Sequence, residues 1–287
     1  MTSVQSTSLI SLKTDLGNAM PTAQQGPDPT FFTVLLLTDK EYLERARQVI
    51  REGDRTLAME WRSDNGEKQV FFANDVEHRV AYKAQPMDRD ELNDLIENNV
   101  FWRLAEEKYF DHSAIIAIRR DRSKNTLSDL LALTEIIHAF AQKIPTHAVV
   151  WLPYALISIE SFNVYYTRLY ETGALPTHAW MRYFWSSKGK EIFVKSAGLT
   201  ELGLPEVEFI TFPEHIACDT NVASDAIDRM LKANFIFPDG TVLAFDFGNE
   251  QGTVTFRHRP PPGGNGSATC FLEIKRLAGG RPLPSVH

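Results

Sequence analysis

The chain has 287 residues, 43% of them apolar and 23% charged, with a formal net charge of -7 and a pI near 5.7. That length and balance suit a globular chain with a sizeable core, one large domain or two intimate halves, and exclude wholesale disorder and fibrous classes. The acidic balance argues against a general nucleic-acid binder, no apolar run approaches the roughly 20 residues that span a bilayer, and Cys218 and Cys270 make no disulfide framework.

Residues 1–29 are polar, carry no charged-then-apolar secretion pattern and end in Gln-Gln-Gly-Pro-Asp-Pro, which predicts a loosely held tail. Phe31–Leu37 is a continuous apolar run, hence a central strand. Thr38 and Asp39 offer an N-cap for a helix through Ile50, closed by Gly53. Strands follow at Thr56–Trp61, Gln69–Ala73 and His78–Ala84, the first two joined by a turn at Ser63-Asp64-Asn65-Gly66. Asp88 to Phe110 is an acid-rich helical region that Asn98-Asn99 interrupts.

The stretch from Ser113 to Leu152 is the expected heart of the fold. It contains a buried strand (Ser113–Ile118), a charged turn (Arg119–Lys124), a long helix (Thr126–Lys143) and a second buried strand (Ala148–Leu152). Thr126-x-x-Asp129 resembles a capping pair, and Pro145 stops the helix. Beyond Pro153, Ser158 and Ser161 cap a helix that ends at Gly173. His178–Ser186 and Glu191–Ser196 read as a hairpin, Val207–Phe212 as a strand and Thr220–Ala233 as a helix. Thr241–Phe247, Thr253–Arg257 and Thr269–Ile274 complete the chain as strands. The loop Pro260–Gly266 reads as mobile, and the end from Leu277 to His287 as a frayed tail. The pattern predicts an α+β fold: a mixed sheet packed with several helices and closed by C-terminal antiparallel strands. Residues 30–276 form its domain, with possible halves at 30–152 and 153–276.

Chemistry is hard to place. Gly263-Gly264-Asn265-Gly266 opens a strand and precedes no Lys-Ser/Thr, so it is no phosphate cradle. His215, Cys218 and Asp219 lack a second ligand pair, so no metal and no cofactor is expected. No nucleophile elbow exists, so no catalytic residue is assigned. His138 reads as a boundary histidine bonded to a neighbour. His112 and His147 each precede a buried strand, a placement compatible with their lying near one another at the sheet edge, with capping or turn roles as the alternative. The run from Glu201 to Asp228 contains no Lys or Arg, so Glu201, Glu206, Glu208, Glu214 and Asp219 are candidate partner-binding residues of an acidic face. Trp180, Tyr183 and Trp185 alternate along one expected strand as aromatic anchors, with core packing as their alternative role.

The order of apolar blocks resembles an uncharacterised bacterial domain family encoded near polymorphic toxins and type VI secretion effectors. The residues that carry the likeness are Phe31–Leu37, Phe101-Trp102, His112–Ile116, Leu130–Phe140, Ala148–Trp151 and Gly198–Glu208. The resemblance implies a type VI secretion immunity protein, of the TsiT kind. Such a protein is not an enzyme. It occludes a cognate effector toxin, a nuclease in the first instance, in the cytoplasm, as a monomer or weak dimer and with no nucleic acid or membrane as partner. An effector adaptor or chaperone, or an enzyme whose histidine and carboxylate assemble only in space, are the alternatives.

Overall fold

The computed structural model describes residues 31–53, 60–64, 68–73, 76–96, 111–121, 126–152, 155–247, 250–260 and 268–276. The expected tails at 1–29 and 277–287, the start of the strand at Thr56, the turn at Asn65-Gly66, the break at Asn98-Asn99, the Phe101-Trp102 block and the loop at 261–266 lie outside the described residues. The fold is α+β, as composition and pattern imply, and its two sheets lie in two compact units that divide between Trp180 and Met181. The hairpin that follows Trp151 belongs to the first unit, so Leu152 is not a boundary.

The first unit contains β1 (Phe31–Thr38), α1 (Leu43–Glu52), β2 (Glu60–Asp64), β3 (Lys68–Ala73), β4 (Val76–Lys83), α2 (Arg89–Ile96), β5 (Ala114–Asp121), α3 (Thr126–Lys143), β6 (Ala148–Trp151), β7 (Ala155–Ser158), α4 (Ile159–Thr172) and α5 (Thr177–Trp180). Its seven strands run β2-β3-β4-β5-β1-β6-β7, every pair antiparallel. β1 sits between β5 and β6, so those two are parallel to each other, and α3 crosses over β1 to join them. Both faces of the centre are covered. Leu35, Leu37, Ile115, Ala117, Ala148 and Val150 pack with Leu92 and Leu95 of α2. The opposite face takes Val34, Leu36, Ile116, Ile118 and Val149 and lies beneath α3, whose Leu130, Leu133, Ile137 and Phe140 are buried. Each such side chain contributes roughly 1.5–3 kcal/mol of transfer free energy. Double coverage is why the central strands read as unbroken apolar runs despite antiparallel pairing.

Two details depart from expectation. Arg119 and Arg120 are no turn: β5 continues through Asp121 with both arginines buried. Asp129, expected as half of a capping pair, turns its carboxylate to Arg120. Ser158 does cap α4, its hydroxyl accepting from the Ser161 amide at 3.2 Å, and Gly173 ends that helix with φ 71°.

The second unit contains β8 (Arg182–Lys188), β9 (Glu191–Ala197), β10 (Glu206–Thr211), α6 (Ile216–Ala233), β11 (Val242–Phe247), β12 (Glu250–Arg259) and β13 (Thr269–Arg276). Its sheet runs β11-β12-β13-β10-β9-β8 and is antiparallel except for the parallel pair β10–β13. One face buries Tyr183, Val194, Val207, Phe209, Phe256, Cys270 and Leu272, and α6 packs at β10 with Val222, Ala226, Ile227 and Met230 inward. The expected strand from His178 begins only at Arg182, because Thr177–Trp180 is a helical turn. The helix expected from Thr220 begins earlier, at Ile216, so Cys218 and Asp219 lie in the first turn of α6.

Candidate functional site

The expected acidic face is largely consumed by the fold. Glu206 accepts from the Ser196 hydroxyl at 2.6 Å and from the Gly198 and Thr200 amides at 3.0 and 3.1 Å, which clamps the turn between β9 and β10. Glu208 pairs with Lys195 across the sheet at 2.9 Å. Asp219 is buried, with the Thr211 hydroxyl and the Arg276 guanidinium donating to its two oxygens. Glu201 is half-buried in a 3-10 turn, and Glu214 is exposed. Nor do the three aromatics share a strand face. Trp180 ends α5 and is buried, its indole N–H donating to the Thr134 hydroxyl at 2.9 Å. Tyr183 is buried, hydrogen-bonded to Ser224 at 3.2 Å and edge-on to Phe209. Only Trp185 reaches solvent, at 37% exposure. Packing, the alternative role, accounts for the first two.

What the second unit does expose is apolar. On the sheet face opposite α6, Phe193 of β9 lies directly across from Ile210 of β10, and the two are 38% and 37% exposed. Phe212 follows at 42%. The rest of this face carries ion pairs, Lys195–Glu208 and Arg257–Glu273, with Arg259 stacked over the Phe271 ring at 3.6 Å. Alternating composition made Phe193 and Ile210 ordinary strand residues in the sequence; only the register shows them as neighbours.

The first unit holds a buried polar row. Phe71, His78 and Arg120 occupy successive strands in register. Arg120 reaches Asp129 of α3 at 2.8 and 3.0 Å and the His78 ring at 3.1 Å. A guanidinium only donates, so His78 Nε2 accepts, and its Nδ1–H donates to the Val76 carbonyl at 2.8 Å. Burial, with the Arg120 cation added, pushes the His78 pKa down to about 4. Every member is satisfied and sealed, which makes the row a structural lock between α3 and the sheet.

The accessible chemistry lies at the end of β1. Asp39 occupies the N-cap position of the turn before α1, yet its side chain caps nothing. One carboxylate oxygen meets His147 Nε2 at 2.9 Å, and the other accepts from the Ser113 hydroxyl at 3.2 Å. The main chain fixes all three: the Ser113 amide donates to Thr38 O, the His147 amide to Leu37 O, and the Lys40 amide to the Ser113 hydroxyl. Burial alone would raise the Asp39 pKa; the hydrogen bond and charge of His147, with the Ser113 bonds, outweigh it and hold the carboxyl below its ordinary value. Asp39 and His147 are 32% and 33% exposed. His112 and His147 do flank the same strand end, but only His147 gains a carboxylate; His112 accepts from the Met87 amide at 2.8 Å. His138 bonds Asn163 at 3.3 Å and stacks on Tyr166, the boundary role expected of it. The signal for the Asp39–His147 pair was available in the sequence, as polar residues abutting two apolar runs, but not the adjacency of those runs.

Among the described residues no three His, Cys, Asp or Glu gather as metal ligands, and no helix is long and apolar enough to cross a membrane. No family model, no curated protein and no solved structure matches the chain.

Proposed function

We propose that the chain is a binding protein that neutralises a cognate secreted toxin by covering it, as an immunity protein does, and that the open sheet face of the second unit makes the contact. The exposed Phe193–Ile210 cross-strand pair carries this reading. A large aromatic and a branched aliphatic side chain left side by side in water, ringed by ion pairs, have the composition of an interface core within a polar rim. The acidic run supports the reading less than its composition suggests, since Glu206, Glu208 and Asp219 already have partners. Apolar contact, and not mimicry of nucleic-acid charge, then carries recognition. The resemblance to toxin-associated proteins supports the choice of partner and its cytoplasmic setting.

The test is co-expression with the toxin encoded beside this chain, scoring survival and pull-down together. Phe193→Asp combined with Ile210→Asp is expected to weaken association at least tenfold, as loss of a hot-spot pair does, and to abolish protection with an unchanged melting temperature. Glu214→Lys is expected to leave both intact. Protection that persists without association overturns occlusion, and association without protection identifies an adaptor instead.

A further inference from the structure

We propose that His147, oriented by Asp39, is a general base for the hydrolysis of acyl esters, at a site in the first unit that is independent of the sheet face of the second. In the neutral ring the carboxylate at 2.9 Å from Nε2 accepts a hydrogen bond, which places the proton on Nε2 and the lone pair on Nδ1. Among the described residues Nδ1 has no hydrogen-bond partner, and the ring is one-third exposed. The basic nitrogen is therefore fixed in direction, on a ring that solvent reaches. This is the role a carboxylate plays for a catalytic imidazole: it selects the tautomer and stabilises the imidazolium that forms.

The position of Asp39 supports the assignment independently. An Asp at a helix N-cap ordinarily bonds the amides of the first turn, yet this side chain forgoes that bond. Instead the Ser113 hydroxyl and two backbone anchors hold it against His147. Ser113 is not the nucleophile. Its proton is donated to Asp39, its oxygen accepts from the Lys40 amide, and the carboxylate stands between it and the ring. The order is hydroxyl, carboxylate, imidazole, in which no proton can pass from serine to histidine.

What remains is the activation of water. A water proton passes to Nδ1 while the water oxygen bonds to the ester carbonyl carbon. The C–O bond to the alcohol then breaks, and the alcohol departs with the proton returned from Nδ1, leaving the carboxylic acid. Ester and water are consumed, acid and alcohol are formed, and the imidazole is regenerated. An acyl ester with a good leaving group suits this site because proton transfer from water is its principal requirement.

The experiment uses the full chain and p-nitrophenyl acetate as the probe, with nitrogen-resolved NMR of the histidine rings alongside. His147→Gln is expected to retain a donor to Asp39, to fold with an unchanged melting temperature and to lose at least tenfold in rate. Asp39→Asn is expected to lose rate likewise and to release His147 from the Nε2–H tautomer, a change that a merely structural carboxylate would not produce. Ser113→Ala, which removes one bond to Asp39 and leaves the imidazole in place, is expected to lower the rate less than Asp39→Asn does. A His147→Gln rate equal to that of the wild type overturns the proposal. So does a Ser113→Ala variant that is inactive, which would make the serine a nucleophile, or a wild-type ring whose proton sits on Nδ1. The tautomer measurement needs no variant, so a proton found on Nδ1 overturns the proposal even where a substitution fails to fold.

Discussion

Asp129 ties α3 to the first sheet through a buried ion pair with Arg120. It is 1% exposed and holds Arg120, 5% exposed, through two hydrogen bonds from one guanidinium. Removing one partner of such a pair strands a buried charge, so Asp129→Ala is expected to cost about 3–5 kcal/mol in urea denaturation. His78 adds a pH dependence to the same row. Its folded pKa, pushed down to about 4 by burial and by Arg120, lies below its ordinary 6.5. The unfolded chain therefore binds a proton first, and stability present above pH 6.5 falls as pH drops from about 6.5 toward 4. A denaturation series across that range is expected to show the decline, and His78→Asn to flatten part of it, with His178 and His138, both lowered by burial, adding to the remainder. These residues stayed hidden because Arg119-Arg120 reads as a solvated turn by charge alone. The partner that permits burial lies nine positions away on a helix, and another, His78, lies 42 positions away.

Helix α3 is the element most fully legible in the sequence: Thr126–Lys143 was bounded by a Thr at its start and Pro145 beyond its end. Caps made from nearby residues are equally readable, and Ser158→Ala is expected to destabilise α4 by ~1 kcal/mol, measured as a lowered melting temperature. Strand neighbours are not readable in this way, and Gly252 shows why. Nothing in Glu250–Arg259 marks its glycine as necessary. In the sheet a Cβ there would lie 2.1 Å from the Lys275 carbonyl oxygen and 2.7 Å from the Phe245 ring. Backbone cannot move aside as a flexible side chain can, so Gly252→Ala is expected to cost roughly 1–3 kcal/mol by overpacking and to loosen β11 from β12 in hydrogen exchange. The same dependence on pairing put Phe193 against Ile210 and Asp39 against His147. Periodicity within one segment specifies which face of a strand is buried; it does not specify which strand comes next.

At the scale of the molecule, an α+β class and most element positions followed from hydrophobic pattern, while the division into two sheets did not. The pattern is blind to that division because β7 and β8 are both short apolar-bearing strands, yet they close different sheets. The placement of β1 has a further consequence for how the protein is made. The first described strand to leave the ribosome is an interior one: Leu37 pairs with Ile115 on one side and Ala148 on the other. At about 5–20 residues per second, the wait for Ala148 lasts on the order of ten seconds. Until Ile115 and then Ala148 emerge, an apolar segment with open edges is available to neighbouring chains. Synthesis, more than the finished fold, is then the vulnerable stage. Nascent chains stalled within α3 are expected to associate with holdase chaperones, and chains stalled well past Trp151 to be released from them, as ribosome-bound pull-downs at successive lengths would reveal.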